Sequence, residues 1–110
     1  MQKLQPRDPF DYAAVRSKEV VAFVEMKNRT NSFGKYDTYM ISMTKLVHAR
    51  SINQATSLPC ILAVRWTDLI GWVRLDNVTT QVTMGGRFDR NDPQDIEPVC
   101  HISMKDFVII

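Results

Sequence analysis

The sequence predicts an α/β (α+β) fold, a central mixed β-sheet crossed by one helix. Three observations predict it. Val20 to Lys27 (VVAFVEMK) and Cys60 to Trp66 (CILAVRW) are apolar enough for buried strands. Between them, Met43 to Thr56 has apolar residues at helical spacing. Strand, helix, strand over residues 20 to 66 fits a right-handed crossover between parallel strands. A chain of 110 residues is expected to form one domain.

Composition narrows the class. Apolar content of 45% with 24% charge is ordinary for a globular chain. A net charge of +2 is mildly basic, a weak pull toward a polyanion. No apolar run approaches the ~20 residues of a membrane helix, and no signal-peptide pattern opens the chain. A cytoplasmic protein with no membrane partner is the expectation. Cys60 and Cys100 read as buried free thiols, and no Cys/His cluster has zinc spacing.

In chain order, Met1 to Pro9 reads as an extended lead-in with prolines at 6 and 9. Phe10 to Val15 reads as a short strand, Arg16 to Glu19 as a polar turn, and VVAFVEMK as the returning arm of a hairpin. On that arm Val21, Phe23, Glu25 and Lys27 share one face, and Val20, Ala22, Val24 and Met26 the other. Both faces are apolar until the end, which predicts a central strand covered on both sides. Asn28 to Tyr36 is a loop with Arg29 and Lys35 interleaved with Phe33 and Tyr36. It reads either as a solvated loop or as a tracker of a phosphate backbone.

Ser42 is the expected N-cap of the helix. Met43, Leu46, Val47, Ala49, Ile52 and Ala55 form a broad apolar stripe that would pack across the sheet. Lys45, His48 and Arg50 share this helix, the last two reading as surface residues. Leu58-Pro59 ends the helical region, and Leu69 to Leu75 pairs back on Cys60 to Trp66. Trp66 and Trp72 read as core or edge packing. After a turn at Asp76-Asn77, Val78 to Met84 is rich in β-formers, and Gly85-Gly86 breaks it. RFDRNDPQD follows as a loop whose Arg87 and Arg90 are set against neighbouring aspartates. Val99 to Ile102 is a further strand, and Phe107 to Ile110 should dock on the core or on another subunit.

The hairpin carries the candidate chemistry. Folded about its turn, it brings Asp11 beside Glu25 and Lys27. Two close carboxylates repel unless a cation lies between them, and a hard divalent cation such as Mg²⁺ fits oxygen ligands. The plain alternative is a salt-bridged strand end where the chain reaches solvent, and on either reading Glu25 and Lys27 sit where the strand meets water. Asp8 rivals Asp11, but Asp8-Pro9 is turn chemistry.

Asp11, a hairpin turn, an apolar strand and Glu25-Met26-Lys27 resemble the PD-(D/E)xK nuclease superfamily. Tyr39-Met40-Ile41-Ser42-x-x-Lys45 before a helix, a strand ending Arg65-Trp66-Thr67-Asp68, and the stretch Gly85 to Val99 are similar to small phage-encoded members. The likeness covers nearly the whole chain. It implies a restriction-endonuclease-like core and a Mg²⁺- (or Mn²⁺-) dependent endonuclease or junction-resolvase-like enzyme acting on DNA. Asp11, Glu25 and the Met26 carbonyl would bind the metal, and Lys27 would hold or deprotonate the attacking water. Lys45 would lie near the active site, and Arg29, Lys35 and Lys45 would contact nucleic acid. The family's usual N-terminal helix is missing, since only ten residues precede Asp11 and none is Glu. It is absent, supplied by another chain, or dispensed with in a minimal protein. With one sheet face uncovered, a homodimer or higher oligomer is expected. Two other classes stay open: a catalytically inactive nucleic-acid-binding module and an oligomeric interaction protein.

Overall fold

The computed structural model describes residues 1–5, 10–86 and 96–110. In chain order these form β1 (Gln2–Lys3), β2 (Tyr12–Arg16), β3 (Glu19–Asn28), β4 (Thr38–Ser42), α1 (Met43–Thr56), β5 (Cys60–Arg65), β6 (Ile70–Arg74), β7 (Thr80–Gly86), β8 (Ile96–Ser103), a 3-10 turn (Met104–Asp106) and β9 (Val108–Ile109). Asp8, Arg87 and Arg90 lie outside the described residues.

The strands make two sheets. The larger runs β1-β2-β3-β5-β6-β9, and the smaller β4-β8-β7. β3 is interior and pairs in parallel with β5, as the crossover reading requires; the other pairings are antiparallel. The second sheet was not anticipated, because 38–42 is short and half-polar and gave no strand signal of its own.

The β2–β3 hairpin closes through Ser17 and Lys18, both left-handed with φ of 51° and 67°. Two consecutive positive φ values give a primed turn whose twist suits a two-residue hairpin. A register shift between Ala14 and Val15 leaves Val21 as the extra residue of a bulge. Ser42 Oγ accepts from Thr44 N at 3.1 Å and opens α1. At the other end Ser57 is left-handed, and its N–H donates to Asn53 O.

The core lies between the larger sheet, α1 and the smaller sheet. Phe10, Tyr39, Leu46, Leu62, Trp66, Leu75, Ile102 and Phe107 meet there. Here the expectations need correction. β3 is covered on both faces only through its middle, where Ala22, Val24 and Glu25 are buried; towards its ends Val20 is 40% and Met26 47% exposed. The helical stripe is narrower than read, with Leu46 and Ala49 buried but Met43 and Val47 exposed. Phe107 docks in the core, whereas Val108 to Ile110 run along the sheet edge and stay exposed.

Gly85 and Gly86 do not end β7, which continues through them. A Cβ at Gly85 would meet the Val99 methyls at 3.0 Å, so the glycine makes room for a neighbour. Gly71 in β6 is similar: a Cβ there would lie 3.3 Å from Trp66 Cζ3, Ile109 Cδ1 and Val108 O. Overpacking of this kind costs about 1–3 kcal/mol. Gly71→Val should therefore lower the melting temperature by about 5–15 °C; calorimetry showing no shift would mean that β9 yields freely.

Candidate active site

Glu25 is a charged residue buried in the protein, 4% exposed. Its carboxylate sits between two ammoniums, Lys27 Nζ at 3.3 Å from Oε1 and Lys45 Nζ at 3.1 Å from Oε2. Lys27 follows two residues on, so the pleat puts it on the same face. Lys45 comes from the first turn of α1, because Ser42 ends β4 and caps the helix above β3. Its ammonium also lies 5.3 Å from the Phe10 ring. The Lys27 side chain is 48% and that of Lys45 24% exposed, so a dry carboxylate is met by cations that reach water. Removing a buried carboxylate from water costs several kcal/mol, and two paired cations offset that cost.

Asp11 directly precedes β2. The register Tyr12↔Val24 sets it opposite Glu25, and its Oδ2 accepts from Met26 N at 3.3 Å. Asp11, Glu25 and the Met26 main chain therefore share one end of β3. The expectation that Glu25 meets solvent is corrected: it is buried, and Asp11 and Lys27 are the exposed members. A pocket of about 210 Å³ opens beside Glu25, lined by Glu25, Lys27, Arg29, Tyr39, Ser42 and Lys45 among others but not by Asp11 or Met26.

Arg29 lies over the Tyr39 ring, 4.7 Å from its centroid. Burial pushes the Tyr39 phenol above its ordinary value; Arg29 opposes this and Glu25 adds to it. Lys35 does not line the pocket; its ammonium is 5.6 Å from the ring of Tyr36 on the same loop. That loop is tied down. Phe33 N donates to Asp68 Oδ1 at 2.9 Å, Thr67 N to Asn31 O at 3.1 Å, and Arg29 N to Arg65 O at 2.8 Å. The Phe33 ring packs edge-on against Trp66 at 5.1 Å, so it serves the core and is not offered to a base. Tyr36 is the loop aromatic left open, 58% exposed.

The sequence reading missed a second buried carboxylate. It read Asp76 only as a turn residue, but its side chain is 2% exposed and paired to Arg74 Nη2 at 2.6 Å. It also accepts from Cys60 N at 2.9 Å. Burial works to raise the Asp76 carboxyl, yet the hydrogen bonds from Arg74 and the Cys60 N–H hold it below its ordinary value. The Cys60 thiol is pushed up to about 11 by burial and by Asp76. This cluster clamps β5 to the end of β6, away from Glu25. A depressed carboxyl contributes stability above its unfolded pKa of ~3.9, and that stability is lost as pH falls through the folded value. Asp76→Asn should be clearly less stable than wild type at pH 7, with the gap closing in acid below the ordinary carboxylate range. Urea melts at pH 7 and in acid check this, and an equal gap in both would contradict it.

Trp66 is 3% exposed, ringed edge-on by Phe33, Tyr39 and Phe107. Its Nε1–H is buried without a hydrogen-bond acceptor among the described residues. A buried donor left so costs about 1–3 kcal/mol. Trp66 also lines a pocket of about 360 Å³ with Arg29, Asn31, Tyr36, Thr38 and His101. Arg29, Tyr39 and Met40 wall both this pocket and the one over Glu25.

Among the described residues, no three His, Cys, Asp or Glu side chains gather as a ready metal cluster, and no helix is long and apolar enough to cross a membrane. Comparison with curated proteins finds no match. The family described as "Phage putative PDDEXK endonuclease" matches residues 1–110. A match over this whole length, on a mixed sheet with a Glu-x-Lys strand end, means that the chain belongs to the phage PDDEXK endonuclease family.

Proposed function

We propose that the chain is a Mg²⁺- or Mn²⁺-dependent endonuclease, nicking or resolving DNA in the cytoplasm of a phage-bearing bacterial cell. One observation carries the reading: a buried carboxylate, flanked by two solvent-reaching lysines and backed by a second acid, at an open strand end. The donor set fits a hard cation, since the carboxylates of Asp11 and Glu25 and the Met26 carbonyl are all oxygen ligands. When bound there, Mg²⁺ or Mn²⁺ supplies positive charge beside the scissile phosphate and acidifies the attacking water. Lys27 leaves Glu25 to orient that water, and takes its proton only as the neutral amine, its own proton having first passed to solvent. Lys45 and Arg29 hold phosphate oxygens at the pocket rim, and Lys35 meets the backbone further out on its loop.

Supercoiled plasmid incubated with the purified chain should be nicked with Mg²⁺ or Mn²⁺ and untouched with EDTA. Absence of cleavage with either ion, at any protein concentration that binds DNA, would select the competing reading, a binding module without catalysis. A specific observation favours that competitor: both Glu25 oxygens already hold a lysine.

Apolar side chains left exposed on the larger sheet support a homodimer. Val20, Met26 and Val108 are 40%, 47% and 49% exposed there. Sedimentation at tens of micromolar should give twice the 12.7 kDa of the chain or more, and a persistent monomer would contradict this.

A further inference from the structure

The pocket beside Trp66 has a role the nuclease reading does not assign. We propose that it takes an unpaired nucleobase of the strand whose phosphate sits over Glu25, so that the enzyme prefers single-stranded or distorted DNA. The proposal rests on the nuclease reading for its substrate class. Four observations carry it. The pocket adjoins the Glu25 pocket through a shared wall of Arg29, Tyr39 and Met40, so a nucleotide next to a phosphate at Lys27 comes to lie over it. Its volume of about 360 Å³ is at the small end of ligand sites. Tyr36 stands at its edge 58% exposed, with the Lys35 ammonium 5.6 Å from the ring, offering a stacking face backed by a cation.

The fourth observation is the polar lining. Asn31 gives its amide to Ser32 O at 3.0 Å, which leaves the side-chain oxygen as an acceptor. His101 is fixed from both sides, Nδ1 by Thr38 Oγ1 at 3.1 Å and Nε2 by Thr83 Oγ1 at 2.7 Å. The Trp66 indole N–H, buried without an acceptor, belongs to the same lining. The opposite edge of that indole, at Cζ3, is the one against Gly71, so the N–H edge is turned away from β6. An aromatic face with a few fixed polar groups is how an extruded base is read. A base inside a duplex keeps its stack and does not reach such a pocket without being flipped out.

The test uses the full chain in EDTA with oligonucleotides carrying 2-aminopurine at one position at a time. In single-stranded DNA, the probe at one position should change its fluorescence at least twofold more than its neighbours. The same probe in a perfect duplex should not. Tyr36→Ala, which removes an exposed ring and leaves the core intact, should abolish the position-specific signal and weaken single-strand binding about tenfold. Circular dichroism confirms that the variant is folded. A uniform signal at every position, unchanged binding by Tyr36→Ala, or no binding at all overturns the proposal. The two readings fail separately. A position-specific signal from a protein that cuts no DNA keeps the base pocket and rejects the nuclease. Plasmid nicking with uniform probe signals keeps the nuclease and rejects the pocket.

Discussion

Lys27→Ala is expected to cut DNA about 10²–10⁴-fold more slowly than wild type while folding normally. The side chain is 48% exposed and pairs with a carboxylate that keeps a second partner in Lys45. Its loss removes one half-exposed ion pair, about 0–1 kcal/mol of stability. In the proposed mechanism the same loss removes the group that orients the attacking water. Metal binding should be unchanged or tighter, because a competing positive charge has left the site. Initial nicking rates with Mn²⁺, beside a Mn²⁺ titration calorimetry curve, separate these effects. Normal cleavage by Lys27→Ala would return Glu25 and Lys27 to the status of a salt-bridged strand end.

Glu25→Gln should lose cleavage to a similar or larger extent, together with metal binding, since it deletes a charge the cation requires. Here the structure changes what the sequence led one to expect. A Glu25 at the water line could be replaced without cost to folding, but a buried one cannot. Its amide would face two ammoniums that have lost their counter-charge. Lys27 can turn to water, and Lys45, 24% exposed, only in part. We expect about 1–3 kcal/mol of destabilisation, short of the full cost of stranding a buried charge. A Glu25→Gln variant that still binds Mn²⁺ and nicks DNA would mean that the carboxylate is structural.

Much of this was legible because local patterns and tertiary structure agree. The apolar runs at β3 and β5 could be read as parallel interior strands, with the intervening helix bounded by Ser42 and Leu58-Pro59. Counting back from the hairpin turn at Ser17-Lys18 sets Asp11 opposite Val24, and the bulge at Val21 moves it one residue on, opposite Glu25. What was not legible depended on which face meets which layer. Period-two alternation shows that Glu25 and Met26 point opposite ways, but not that cover on the Met26 side stops at Val24. Nor does helical spacing show that Val47 misses the core, since that depends on where the smaller sheet sits. β4 was missed because 38–42 has little apolar signal and gains its partner, β8, from more than fifty residues away. Asp76 looked like turn chemistry because the Cys60 N–H it satisfies belongs to another strand.

In the proposed mechanism the Asp11–Glu25 strand end is a metal-dependent active site. Its most direct test is a crystal structure grown with Mn²⁺ and read by anomalous scattering. A peak is expected in contact with the Asp11 and Glu25 carboxylates and the Met26 carbonyl oxygen, with Lys27 and Lys45 moved off Glu25. Crystals in saturating Mn²⁺ with no peak there, and with both lysines still paired to Glu25, would contradict it.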